Sequence, residues 1–187
     1  MAVSRTPVRE ALQKLAQERL LISIPKSGYM VEDLSDNDIQ DLFTTRMEVE
    51  QLAIKKALYL ISVDELKALD DNLEQTKSAI KSGSETRLTE LDLAFHSIIF
   101  TAARSRSLFR ICKTLSDMTL KYRHGLNMTA SLRNQMVQHH LEIYQAMISK
   151  NEDQAIEALA VHAEKAKEHL VAVMKKIRSD GFEAEEF

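Results

Sequence analysis

At 187 residues the chain has room for one good-sized core or for a small module beside a larger one, and its single cysteine, Cys112, excludes a disulfide framework or a clustered-thiolate zinc site within the chain. Only four glycines and two prolines occur, with Pro7 and Pro25 both near the start, so a mostly helical body is expected beyond them. The net charge of −3 is uneven: residues 1–31 hold Arg5, Arg9, Lys14, Arg19 and Lys26 against Glu10 and Glu18, which places a basic head on an acidic body and points to a polyanion partner at one end. No run of 18 apolar residues and no signal-peptide pattern occurs, so the expected protein is cytoplasmic and does not engage a membrane.

In chain order, Ser4 or Thr6 can cap a first helix and Pro7 suits its first turn, with Val8, Ala11, Leu12 and Leu15 forming an inward stripe. Residues 21–24 and 29–31 read as two short strands around the turn Pro25-Lys-Ser-Gly28. Ser35 with Asp38, and Ser62 with Glu65, are spaced as capping boxes and open helices to about residues 60 and 82. Further helices are expected at about 84–103, 105–124, 130–149 and 152–178, so that about six helices with short links make an all-α antiparallel bundle. The acidic end, Glu183-Ala-Glu-Glu186, reads as frayed.

Asp92 and His96 lie four apart, on one face of one helix and within reach of one cation. Alone, such a pair reads more simply as a helical hydrogen bond or ion pair. His140 and His162, on the last two helices, sit among apolar neighbours and can also point inward. Burying several imidazoles and a carboxylate without partners costs several kcal/mol, on the order of what a divalent metal offsets by binding them together. Three imidazoles and one carboxylate suit zinc, nickel, manganese or iron better than magnesium or calcium. His139 competes with His140, and His169 lies about two turns from His162 on a similar face. His124, beside Gly125, reads as a partner of a helix dipole.

The run Val3-Ser-Arg-Thr-Pro-Val-Arg-Glu-Ala-Leu12, followed by Leu15 and Leu20-Leu21, resembles the recognition-helix signature of the GntR regulators, and Pro25-Lys-Ser-Gly-Tyr-Met-Val31 is similar to their wing. Arg46-x-x-x-Glu50, Asp92-Leu-Ala-Phe-His96, His140 and His162 resemble the FCD effector domain of the FadR-like branch. Two departures stand out. Ala103-Arg-Ser-Arg106 replaces a Gly-Asn-Pro loop, and His139 stands where an acidic residue is usual.

The resemblance implies a partial winged helix-turn-helix with a β-hairpin wing over residues 1–33, an FCD-like domain over 34–180 that binds effector and metal, and a frayed tail over 181–187. Met1-Ala2 stands where that family has Leu-Gly inside the helix-turn-helix, so two upstream helices are expected to be missing and the chain as given to bind operator DNA weakly. For an intact regulator the resemblance implies a homodimer on a palindromic operator, with Ser4, Arg5, Thr6 and Arg9 contacting bases or backbone and Lys26 and Ser27 contacting phosphate or the minor groove.

It also implies a metal held by Asp92, His96, His140 and His162, zinc being the leading expectation, and a small carboxylate effector bound with the help of Arg46 or Arg123. Arg46 can equally be held by Glu50, one turn on. No enzyme activity is expected. The rival readings are a metal-dependent hydrolase, for which no further general base is spaced like a motif, and a metal-free helical interaction protein.

Overall fold

The structure, a computed structural model, describes residues 4–17, 21–25, 27–31, 35–123 and 129–182. The chain divides into two compact units, 1–38 and 39–187.

In the first unit, helix α1 (Arg5–Gln17) packs on strand β1 (Leu21–Ile24), which pairs antiparallel with β2 (Gly28–Val31) in the register Leu21↔Val31 to Ile24↔Gly28. Gly28 closes the turn at φ +117°, a left-handed conformation that a side chain would strain. The helix and hairpin follow the sequence reading. The apolar stripe of α1 is only partly covered, because β1 is the element that packs against it. Leu12 and Ala16 are half-buried, while Val8 stays 46 % and Leu15 36 % exposed.

The second unit is built from α2 (Asp36–Leu60), α3 (Val63–Ser82), α4 (Glu85–Ala102), α5 (Arg106–Arg123), α6 (Ala130–Ser149) and α7 (Glu152–Phe182). Both capping boxes form: Asp38 N–H donates to Ser35 Oγ and Ser35 N–H to Asp38 Oδ2, and Ser62 and Glu65 repeat the exchange. Gly83 ends α3 in the left-handed region at φ 70°, and its N–H reaches back to the carbonyls of Ala79 and Ile80. Lys150 ends α6 in the same way at φ 52°. Such tight stops return each helix along its predecessor, so α3 with α4 and α6 with α7 form antiparallel hairpins. Helix α7 continues past the expected end near residue 178 to Phe182, carrying Gly181 at a cost of about 1 kcal/mol relative to alanine. The remainder of the expected frayed tail, and His124 with Gly125, lie outside the described residues.

The main core joins Ile54 and Leu58 of α2, Leu69 and Leu73 of α3, Phe95 and Ile99 of α4, Ile143 and Met147 of α6 and Leu159 of α7. Each such side chain contributes about 1.5–3 kcal/mol of burial. A second cluster places Ala53 of α2 with Phe100 of α4 and Leu108 and Cys112 of α5. These two seams hold α4 at the centre of the bundle. Asn72 on α3 adds a directed contact, its side-chain N–H donating to the Leu91 carbonyl at 3.0 Å, one residue before Asp92. No described helix is long and apolar enough to cross a membrane.

Candidate metal centre

Helix α4 presents Asp92 and His96 one turn apart, α6 presents His140 and α7 presents His162. All four are buried, between 3 % and 6 % exposed. One ligand atom from each lies within 4.8 Å of every other. The Nε2 atoms of His96 and His162 face each other at 3.2 Å, and His140 Nε2 stands 3.6 Å from Asp92 Oδ1. The sequence-expected quartet is therefore one cluster in space.

Its donor chemistry fits a divalent transition metal. For bonds of about 2.1 Å, ligand atoms stand about 3.0–3.4 Å apart when adjacent and about 4.2 Å when opposite. The two short pairs fall in or near the first range. Two imidazole nitrogens brought this close need either one proton between them or a shared cation in front of both. Burial, first, and the neighbouring His140 and His96 hold the His162 imidazole well below its ordinary pKa, so it is a neutral ring with a lone pair to give. Its Nδ1 has no hydrogen-bond partner among the described residues.

The surroundings orient the ligands. Phe95 stacks on His140 with ring centroids 4.1 Å apart and planes 5° from parallel. Glu50, 2 % exposed, directs Oε2 to within 3.9 Å of His96 Nδ1, while its Oε1 accepts from Arg46 Nε at 2.6 Å. Arg46 Nη1 donates to Thr119 Oγ1 at 3.2 Å, and Thr119 donates on to the Ser116 carbonyl. Arg46 is thus held by Glu50 in the manner the four-residue spacing allows, and it also lines a pocket beside the cluster. That pocket is a small cavity of about 20 Å³ walled by α2, α5, α6 and α7, with Thr119, His139, Lys165 and His169 among its lining. The His139 ring stands edge-on to His162 at 6.2 Å, so the pocket and the cluster adjoin.

Three features of this site escaped the sequence. Glu50 was legible only as the partner of Arg46, its approach to His96 being a contact across 46 residues. Lys165 carried no motif. His139 and His169, undecided in the sequence, line the pocket and do not join the quartet. Of the expected DNA-contacting residues, Ser4, Thr6, Arg9 and Ser27 are exposed, and the side chains of Arg5 and Lys26 lie outside the described residues, as does that of Arg123.

Residues 41–165 match the FCD domain, and residues 1–31 match the bacterial regulatory proteins of the gntR family. The HTH-type transcriptional regulator YdhC of Bacillus subtilis is 28 % identical over 176 residues, covering 93 % of this chain and 78 % of that protein. The HTH-type transcriptional repressor RspR of Escherichia coli is 26 % identical over 183 residues, covering 98 % and 80 %. Among solved structures, Escherichia coli McbR/YncC aligns with TM-score 0.79 at 19 % identity over 94 % of this chain and 87 % of its own. An FCD domain solved metal-free aligns with TM-score 0.65 at 18 % identity over 78 % and 99 %, and both likenesses speak to fold. The winged-helix signature, the six-helix unit and these matches agree: the chain belongs to the GntR family of bacterial regulatory proteins and is a DNA-binding transcriptional regulator of the FCD type.

Proposed function

We propose that the helical unit is a metal-containing sensor whose occupancy by a small carboxylate changes operator binding by the winged-helix unit. One observation carries this reading: four ligand atoms, three imidazole nitrogens and a carboxylate oxygen, buried within 4.8 Å of one another and adjoining a pocket that Arg46 lines. Asp92, His96, His140 and His162 would hold the metal, zinc first and nickel, manganese or iron next by donor type. Bound there, the cation supplies Lewis acidity and positive charge toward an incoming carboxylate. The chain's own residues do the remainder. Glu50 faces the Nδ1 edge of His96 with its charge at 3.9 Å, Phe95 orients His140, and Arg46, braced by Glu50 and Thr119, offers its remaining N–H groups to an anion.

In this reading residues 1–33 serve operator contact through Ser4, Arg5, Thr6, Arg9, Lys26 and Ser27, residues 34–180 serve sensing, and 181–187 serve neither. The working form is a cytoplasmic homodimer, which matches two recognition helices to a palindromic site. Effector binding biases DNA affinity only if it favours one arrangement of the two units, and α2, whose Arg46 lines the pocket, is the element proposed to transmit that preference.

Elemental analysis after purification without chelator tests the centre. About one metal per chain is expected from the ligand count, with near-complete loss in His140→Ala and in His96→Ala. Absence of metal from the unmodified protein after growth and refolding with each candidate ion would sink the reading and leave a metal-free bundle. Titrating small acids against operator affinity tests the sensing half.

A further inference from the structure

Helix α3 contributes no ligand to the quartet, yet it packs against both α4, which carries Asp92 and His96, and α6, which carries His140. Its seam with α4 is mostly apolar, drawing Leu69, Leu73, Phe95 and Ile99 into one core. Apolar burial is non-directional, so such a seam opposes separation of the helices more strongly than it opposes sliding. A slide of α4 by one residue's rise, about 1.5 Å, far exceeds the roughly 0.2 Å within which metal–ligand distances must fall. Apolar packing alone therefore leaves the height of the ligand turn under-determined.

Asn72 supplies the missing direction. Its side chain is buried on α3, and Nδ2 donates to the Leu91 carbonyl at 3.0 Å, in the middle of α4 and one residue before Asp92. A carbonyl inside a helix keeps a second lone pair for such a donor, and the bond holds only over a narrow range of distance and angle. The other end of the amide, Oδ1, is buried with no hydrogen-bond partner among the described residues. An amide with one end unsatisfied adds little net stability, so its presence in the core speaks for register and not for strength. We propose that Asn72 is a positioning residue for the metal centre, setting through the Leu91 carbonyl where Asp92 and His96 stand against the histidines of α6 and α7; this rests on the metal reading above. Thr76, one turn along α3 and also buried, offers a control, because its hydroxyl donates at 2.8 Å to the Asn72 carbonyl of its own helix.

Two measurements on the full chain test the inference: zinc affinity by competition with a chromophoric chelator, and the urea midpoint of the metal-free protein. Asn72→Leu is expected to bind zinc at least about tenfold more weakly, the lower end of what outer residues around a metal contribute. Its metal-free midpoint should stay close to that of the unmodified chain, since the variant loses one hydrogen bond and also removes an unsatisfied buried oxygen. Thr76→Val should leave zinc affinity within about twofold, having no bond to α4 to lose. Asn72→Gln and Asn72→Met have side chains of similar length and differ in the amide, so the glutamine variant is expected to bind zinc more tightly; this pair carries the test if Asn72→Leu does not fold. A lowered midpoint with zinc affinity unchanged, an equal loss of affinity in Thr76→Val, or no difference between the glutamine and methionine variants would overturn the role of Asn72 and leave the metal reading standing. If the unmodified chain takes up no metal, both fall together.

Discussion

Glu50 joins two jobs in one carboxylate, neutralising Arg46 through Oε1 and facing the Nδ1 edge of His96 through Oε2. Replacing it with glutamine keeps the shape and removes the charge, so Arg46 is left buried beside an uncharged partner. Glu50→Gln is expected to cost about 3 kcal/mol of stability, read as a lowered urea midpoint at unchanged m-value. In the same variant, competition with a chromophoric chelator should show metal affinity weakened about 10–100-fold, because a ligating imidazole has lost the carboxylate charge that faces its Nδ1 edge. Cys112 gives a second prediction at this scale. Burial, aided by the nearby Glu50 charge, pushes its thiol up to about 12. The folded protein should therefore react with a thiol reagent at neutral pH only at the rate of global opening, and addition of urea should restore ordinary reactivity. Fast labelling without denaturant would show that α5 opens locally. Asp92 and His96 were readable as a pair from four-residue spacing, whereas the place of Glu50 was not, since nothing in a local pattern reports a contact between α2 and α4.

At the scale of elements, helix limits follow from a few capping residues. Ser62 makes a reciprocal box with Glu65, and Gly83 takes the left-handed geometry that turns α3 into α4. Ser62→Ala is expected to cost about 1 kcal/mol, and Gly83→Ala about as much. Both should lower the melting temperature without changing metal content, because neither residue touches the quartet; loss of metal in either would mean that the α3–α4 turn sets ligand geometry. These limits were legible in the sequence to within a residue or two, since serine three residues ahead of an acid and glycine after an apolar period each have a local cause. Coverage of the α1 stripe was less legible. Periodicity says which side chains share a face but not what meets that face, and here Val8 and Leu15 remain partly exposed.

For the whole molecule, the buried histidines tie stability to pH. The His162 imidazole lies well below its ordinary value in the folded chain, chiefly through burial, and returns to about 6.5 on unfolding. Below that pH the unfolded chain takes up a proton that the folded one refuses, so the stabilisation is complete above about pH 6.5 and is lost as pH falls further. Melting temperatures measured from pH 8 to pH 5 should decline on the acid side, and metal should be released over the same interval because protons compete for the same nitrogens. A melting temperature flat to pH 5 would place His162 in water. The amino-acid order by itself determined the helix count, the caps, the hairpin and the types of residue able to bind a cation, because these depend on periods of two and 3.6 and on neighbours a few positions away. It also carried the family likeness. Only tertiary structure decided that donors from α4, α6 and α7 meet within 4.8 Å, that Glu50 approaches His96, and that Asn72 reaches the Leu91 carbonyl. Those placements are set by how apolar faces from distant parts of the chain pack together, and no local interaction encodes that packing.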